Sequence, residues 1–233
     1  MLGEMPRSRP PDRLDQILQA ATRIFARTGL ENSKMSEVAT EAGVSQGTLY
    51  NYVESKEALF RLLLDRGLGM PPPASTALPL RSPSAAGLAR RMDEAIAANF
   101  ALPRLDKALT RRRVPDPTAE LTEVIDELYE RTLATREAAD VLERSARDVP
   151  ELAAVFYGKA RPGLLERLER LVSRRVASGH YRDRDPGVVA RIIAETVTTF
   201  ARHIHGDVEP PVFDLASARA VVVDVLVTGI VKR

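Results

Sequence analysis

The stretch GVSQGTLYNYVESKEALF, residues 43–60, decides how this sequence is interpreted. Between Gly43 and Lys56 it contains one charged residue, Glu54, among small, hydroxyl-bearing and tyrosine side chains. Gly43 can adopt the left-handed backbone that ends a helix, and Ser45 is a good N-cap for the helix that follows. The stretch therefore predicts two short helices joined by a tight turn, which is a helix-turn-helix.

The second helix of this motif has the slim, polar outer face that a DNA major groove accepts. Gly47 allows the backbone to approach DNA closely. Gln46 and Asn51 can exchange hydrogen bonds with base edges, and Thr48 offers a hydroxyl to phosphate and a methyl to thymine. The alternative is a tight helical corner whose polar residues are incidental. The predicted DNA contacts are Lys34, Ser36, Ser45, Gln46, Gly47, Thr48, Tyr50, Asn51, Tyr52 and Lys56.

The composition excludes several kinds of chemistry. The 233 residues include no cysteine, so disulfides, thiolate nucleophiles and cysteine-ligated metals are ruled out. Residues 1–70 hold nine Lys or Arg and nine Asp or Glu, so phosphate binding there depends on how charges are arranged, as in the cluster of Arg7, Arg9 and Arg13. No signal peptide is apparent, and the apolar run 220–231 is too short for a bilayer, so we expect a cytoplasmic protein without a membrane partner.

Apolar residues recur at helical spacing along the chain, which predicts an all-α fold. The first helix is expected from about residue 12 to 28, ending at Gly29. Five prolines between Met70 and Ala86 forbid a continuous helix there. Further helices are expected at about 85–101, 117–147, 150–178, 186–204 and 214–231. The predicted domains are a helix-turn-helix DNA-binding domain, 1–68, a Pro-rich linker, 69–86, and a C-terminal helical domain, 87–233.

The segment EVATEAGVSQGTLYNYVESKEALF, residues 37–60, resembles the DNA-binding signature of the TetR family of bacterial transcriptional regulators. The resemblance extends over residues 12–64. The sequence departs from the family at two positions, with Lys34 where Thr or Ser is common and Val53 where Phe is common. The resemblance implies a three-helix DNA-binding domain, followed by a helical domain for ligand binding and dimerisation.

The same resemblance implies how the protein would act. A homodimer would occupy palindromic double-stranded operator DNA and repress transcription, although activation is the alternative. The apolar stripes at 164–176 and 188–204, with the helix 214–231, would form the dimer interface. A small, largely apolar effector would bind between helices of residues 85–213, shift the helix at 55–66 and release the DNA. The candidate effector-lining residues are Phe100, Tyr129, Phe156, Tyr157, Phe200 and His203.

An enzyme and a helical scaffold are the two alternatives to a regulator. An enzyme is not favoured, because the sequence has no Gly-rich phosphate loop, nucleophile elbow or HExxH motif. A metal site at His203 and His205 is not expected either, because residues two apart on a helix point to different sides. No cofactor is expected. A helical scaffold that binds protein partners remains open, and specific binding to a palindromic duplex would separate a regulator from both alternatives.

Overall fold

The computed structural model describes residues 11–67, 69, 73–74, 77–84, 86–88, 90–91, 93–94, 101–206 and 211–232. Its helices are α1 Pro11–Asn32, α2 Met35–Glu41, α3 Gln46–Tyr50, α4 Lys56–Gly67, α5 Pro103–Thr110, α6 Pro117–Ala146, α7 Pro150–Val155, α8 Arg161–Ala177, α9 Pro186–Ala201 and α10 Leu215–Ile230. Within these ranges, extended backbone pairs only at two isolated bridges, Val53–Leu80 and Tyr181–Val231. The predicted all-α fold is confirmed. No helix among the described residues is both long and apolar enough to cross a bilayer.

The course of three predicted helices can be compared with the structure. Gly29 has φ 78° and breaks the helical path inside α1, as its position in the sequence predicts. The predicted helix at 117–147 forms as α6 without a break. The predicted single helix at 150–178 instead contains a π-helical segment, Phe156–Ala160, between α7 and α8. Pro162 follows this segment, and because proline has no N–H to donate, the regular hydrogen-bond ladder cannot continue through it.

Contacts between Cα atoms divide the chain into two compact units. The head unit comprises residues 1–95 and 137–156, and the body unit comprises residues 96–136 and 157–233. Helix α6 therefore contributes its first part to the body unit and its last part to the head unit. The domain limits expected from the sequence concern function and stay a prediction.

The head unit is built on α1, which packs against α2 and α4. Phe25 of α1 and Phe60 of α4 are both fully buried. Their rings meet edge to face, with centroids 5.7 Å apart, an arrangement that aromatic pairs favour. α4 ends at Gly67, where a Cβ atom would overlap the Cβ atom of Ala138 in α6. The missing side chain therefore allows α4 and the last part of α6 to lie close together.

The last part of α6 is also hydrogen-bonded to the end of α1. The backbone N–H of Leu30 donates to the hydroxyl of Ser145 at 3.0 Å, and that hydroxyl donates to the carbonyl of Val141 at 2.7 Å. Ser145 is fully buried, so both of these bonds are made away from water. Asn32 adds an exposed bond to the carboxylate of Asp148 at 3.0 Å. The segment that leads into α2 is thus held by residues more than a hundred positions later.

The body unit has its own apolar core, in which α9 packs against α8 and α10. This core draws side chains from α5, α6, α8, α9 and α10. Glu127 of α6 caps α5, because its carboxylate accepts from the backbone N–H of Arg104 at 2.9 Å and of Leu105 at 3.0 Å. A carboxylate at a helix N-terminus satisfies N–H groups that lack a partner within the helix and complements the helix dipole.

Candidate nucleic-acid interface

The turn between α2 and α3 has the geometry that the sequence predicts. Gly43 has φ 64°, and its N–H donates to the carbonyl of Thr40 at 3.1 Å while the N–H of Val44 donates to Ala39 at 2.9 Å. Such bonds close the end of a helix through a left-handed residue. Val44 is half-buried. The backbone thus reverses direction within a few residues.

The helix α3 begins at its predicted cap. The hydroxyl of Ser45 accepts from the backbone N–H of Thr48 at 3.1 Å and shares a further hydrogen bond with the Thr48 hydroxyl at 2.9 Å. Leu49 is fully buried and fixes one side of the helix against the head core. Since α3 has only five residues, this cap and this anchor set its position.

The opposite side of α3 is open to solvent. Gln46, Gly47 and Asn51 are exposed, and Tyr50 is 45% exposed. A Cβ atom on Gly47 would meet nothing nearer than the Ser45 hydroxyl at 3.9 Å. Nothing in the described protein therefore requires glycine at position 47, although glycine weakens a helix. The exposed side can present amides and a phenolic hydroxyl to an external partner.

The remaining predicted contacts occupy less uniform settings. Tyr52 is only 4% exposed, so its ring belongs to the head core. The ammonium of Lys56 donates to the carbonyl of Glu31 at 2.7 Å, and two of its three protons remain for another acceptor. Lys34 is exposed, and its side chain does not cap α2. Instead the carboxylate of Glu37 accepts from the Lys34 N–H at 3.2 Å, while Ser36 is half-buried.

Several basic side chains of the head unit are already paired with carboxylates. Arg23 pairs with Glu41 at 2.7 Å, and Arg66 pairs with Asp15 at 2.8 Å. The predicted cluster at the N-terminus lies partly outside the described residues, because only Arg13 of its three arginines is described. Among the described residues of the head, part of the positive charge is therefore committed to ion pairs.

The Pro-rich segment returns to this site, which no pattern in the sequence indicated. Leu80 donates its N–H to the carbonyl of Tyr52 at 2.9 Å and accepts from the N–H of Glu54 at 2.9 Å. The backbone of residues 80–82 thus lies beside the turn that joins α3 to α4. A single apolar residue between a proline and an arginine carries no recognisable strand pattern, because strand signals depend on longer alternating runs.

The candidate effector residues are only partly brought together. Tyr129 is buried in the body unit and donates its hydroxyl to the carbonyl of Phe200 at 3.1 Å. His203 is exposed. Phe156 and Tyr157 lie on the π-helical segment, where Tyr157 is 40% exposed, and Phe100 lies outside the described residues.

A separate open groove of about 490 Å³ lies between α5 and α6 of the body unit and has none of these candidates in its lining. Its walls include Arg104, Lys107, Glu123 and Asp126, so charges of both signs face it. Among the described residues, no three His, Asp or Glu side chains are grouped as a metal site would require.

The fold and the exposed helix α3 define a helix-turn-helix protein of the DNA-binding class. Residues 17–63 match the sequence model of a family described as bacterial regulatory proteins, tetR family. This N-terminal region is therefore similar to the DNA-binding region of TetR-family regulators.

A curated relative is also similar to part of this chain. The HTH-type transcriptional repressor KstR2 of Mycolicibacterium smegmatis (strain ATCC 700084 / mc(2)155) is 37% identical over 57 residues, which are 24% of this chain and 28% of that protein. The matches to the first three curated relatives span between 26% and 28% of their lengths. The chain therefore matches about a quarter of the length of these relatives.

Solved structures extend the likeness of fold to nearly the whole chain. The ketosteroid transcriptional regulator KstR2 of Mycobacterium tuberculosis matches with TM-score 0.59 and 17% identity, over 97% of this chain and 98% of that chain. AibR, solved in complex with isovaleryl coenzyme A and operator DNA, matches with TM-score 0.54 and 18% identity, over 92% of this chain and 96% of that chain. At such identities the likeness concerns fold alone.

Proposed function

We propose that the protein is a transcriptional regulator that inserts α3 into the major groove of a palindromic operator. The observation that carries this proposal is the exposed side of α3, where Gln46, Gly47 and Asn51 face solvent while Leu49 anchors the helix behind them. Amide side chains can read base edges. The unneeded glycine at position 47 is explained if DNA backbone or bases approach α3 closely.

Positioning on the duplex would come from hydroxyl groups and from single cations. The exposed hydroxyl of Tyr50 and the free protons of Lys56 are suited to phosphate oxygens. Lys56 lies in the first turn of α4, where backbone N–H groups also favour an anion. Such contacts fix register without many Lys or Arg residues, which suits a head whose arginines are partly committed to ion pairs.

We also propose that the regulator acts as a homodimer formed through α9 and α10. α9 exposes Val188 and Ile192, which are 57% and 49% accessible, and α10 exposes Val221 and Val225, which are 60% and 59% accessible. Each pair is spaced i, i+4, so each helix presents its two side chains on one face. The stripe predicted at 164–176 is less available, because Leu168, Leu171 and Val172 are buried in the body core.

Repression and release by an effector complete the proposal. Repression is favoured because the M. smegmatis relative is named a repressor, and a bound ligand is supported by the AibR complex with isovaleryl coenzyme A. A small, largely apolar effector would bind in the body unit and favour the conformation that does not fit the operator. Tyr129 is buried, Phe200 is half-buried, and the Tyr129 hydroxyl donates to the backbone carbonyl of Phe200. Their rings offer aromatic surface of the kind that lines such pockets.

Selection from random duplex DNA tests the proposal directly. Purified protein should enrich a palindrome, and its affinity for that palindrome should exceed that for random DNA by about 10³-fold or more. Tyr50→Phe should weaken specific and random duplexes alike, while Gln46→Ala should change the selected sequence. Recovery of no motif at low or moderate salt would overturn DNA reading and favour a scaffold. Equal losses on both duplexes from Gln46→Ala would overturn its base contact.

A further inference from the structure

The Pro-rich segment forms a strap across the turn between α3 and α4. We define the strap as residues 80–82. Leu80 bonds on both sides of Val53, through the Tyr52 carbonyl and the Glu54 N–H, each at 2.9 Å. The N–H of Ser82 donates to the carboxylate of Glu54 at 3.2 Å. Three hydrogen bonds therefore hold this short extended segment in place.

The strap carries one cation on its outer side. Leu80 is half-buried, whereas Arg81 is exposed, as expected if successive side chains of an extended segment point to opposite faces. Within the described residues, Arg81 makes no ion pair, in contrast to Arg23 and Arg66, which are bonded to carboxylates. Its guanidinium is thus available to an external anion, and Arg is well suited to bind phosphate through a pair of hydrogen bonds.

The strap lies beside the residues proposed to contact phosphate. Val53, its bridge partner, is three residues after Tyr50 and three before Lys56. Neighbouring extended segments are about 4.8 Å apart, so the Arg81 backbone is one such spacing from the backbone of the turn. Glu54, the charged residue of this turn, would repel phosphate. Arg81 brings a positive charge to a turn that otherwise presents a negative one.

We propose that the strap is an additional DNA-contacting element in which Arg81 binds a backbone phosphate next to the groove occupied by α3. This inference rests on the proposed DNA-binding function and adds a contact outside the helix-turn-helix itself. The strap hydrogen bonds hold the arginine in position before DNA arrives, which reduces the entropy lost on binding. Because the contact is to phosphate, it adds affinity without sequence preference.

Salt dependence measures this contact. Each phosphate contact steepens the plot of log affinity against log salt concentration by about 0.9. A dimer has two Arg81 side chains, so the slope of the Arg81→Gln variant should be shallower than that of wild type by about 1.8. Between roughly 50 and 200 mM salt, wild type should lose about twelvefold more affinity than the variant. The variant should bind the selected palindrome and random duplex more weakly than wild type, by the same factor.

Arg112→Gln is the matched control, because Arg112 is exposed in the body unit and the change in net charge is the same. If Arg81→Gln and Arg112→Gln have the same slope and the same affinity, the strap proposal is wrong while the regulator function stands. If wild type shows no salt-dependent binding to any duplex, the proposed function is wrong, and the strap contact is wrong with it. The two failures are therefore distinguishable.

Two further variants test whether the strap positions Arg81 next to a phosphate. Leu80→Pro removes the N–H that bonds to Tyr52 but keeps Arg81, and it should lower the salt slope as Arg81→Gln does, with helicity by circular dichroism unchanged. Wild-type binding by a folded Leu80→Pro variant would overturn the positioning role.

Glu54→Gln keeps an acceptor for Ser82 and removes the repelling charge, so affinity should rise by roughly up to fivefold. Lower affinity would contradict the placement of this turn near phosphate.

Discussion

The guanidinium of Arg175 and the carboxylate of Glu120 form an ion pair inside the body unit, with Nε 2.6 Å from Oε2 and Nη2 3.1 Å from Oε1. Their side chains are 4% and 2% exposed. Arg175 also donates to the carbonyl of Ala108 at 2.7 Å. The pair thus joins α5, α6 and α8 through charges held away from water, where the loss of one partner leaves the other uncompensated.

Glu120→Gln should lower the free energy of unfolding by about 3–5 kcal/mol, because Arg175 would stay buried without its counter-charge. Denaturant unfolding of the purified protein measures this loss. The control is Glu130→Gln, since Glu130 is 50% exposed and pairs with Arg219, and its loss should stay below about 1 kcal/mol. Similar small losses in both variants would show that the buried pair is not a major source of stability.

Tyr181→Phe should make stability less sensitive to alkaline pH. Burial, followed by the charge of Glu120, raises the pKa of Tyr181 above its usual 10.0. Because the folded pKa lies above the unfolded one, the unfolded state binds fewer protons above about pH 10, so stability is unaffected below that pH and falls as pH rises further. Unfolding midpoints between about pH 9 and 11 should therefore fall less steeply in the variant.

The same substitution should not weaken the protein near pH 7. The Tyr181 hydroxyl is buried without a hydrogen-bond partner among the described residues, so removing it ends a desolvation cost of about 1–3 kcal/mol. Tyr157→Phe, at a 40% exposed position, removes the same group from the surface and serves as control. A marked loss of stability in Tyr181→Phe at neutral pH would mean that the hydroxyl is a bonded part of the core.

Gly47→Ala should separate stability from DNA binding. A methyl group has room at this position and favours the helix by about 0.5–1 kcal/mol, so the melting temperature should stay equal or rise. Binding to the selected palindrome should nevertheless fall, because the methyl group would lie where DNA approaches. Undiminished binding would remove the reason proposed for this glycine.

Gly43→Ala is the opposite case and the natural comparison. With φ at 64°, an alanine there is strained by about 1–2 kcal/mol, although no atom lies within 4 Å of its Cβ position. We expect a lower melting temperature, with DNA binding reduced in proportion to the loss of folded protein. A stable Gly43→Ala variant would contradict the assignment of this turn.

Val225→Asp should convert the proposed dimer into monomer, because a carboxylate buried without a partner costs several kcal/mol. The dimer dissociation constant should rise by at least about 100-fold, which sedimentation at several concentrations can measure. Val212→Asp introduces the same side chain at a fully exposed loop residue before α10 and should stay dimeric. Dimers of equal strength in both variants would exclude this face of α10 from the interface.

Short-range features were predictable because their causes are local. The left-handed glycines at 29 and 43 and the cap by Ser45 depend on neighbours only a few residues away. Apolar spacing likewise predicted the long helices α1, α6, α9 and α10, whereas α5 was not predicted. The helix expected at 85–101 lies largely outside the described residues. The π-helical segment between α7 and α8 was missed, because apolar periodicity does not distinguish it from a continuous α-helix.

Two examples show that the burial of side chains could not be predicted from the sequence. Tyr50 and Tyr52 look equivalent in the sequence, yet one is 45% exposed and the other 4%. The last helix is apolar nearly all round, and only the packing of the body unit leaves Val221 and Val225 outside its core. Burial is decided by which elements surround a residue, and a single sequence does not state this.

The sequence by itself determined the long helices and the helix-turn-helix, because these follow from local backbone preferences and a contiguous motif. Only the tertiary structure decided that residues 137–156 join the head unit, that Glu127 caps α5, and that the strap lies beside Glu54. Each of these contacts joins residues more than twenty positions apart. Their energy comes from hydrogen bonds and burial between distant segments, which no local pattern in the sequence encodes.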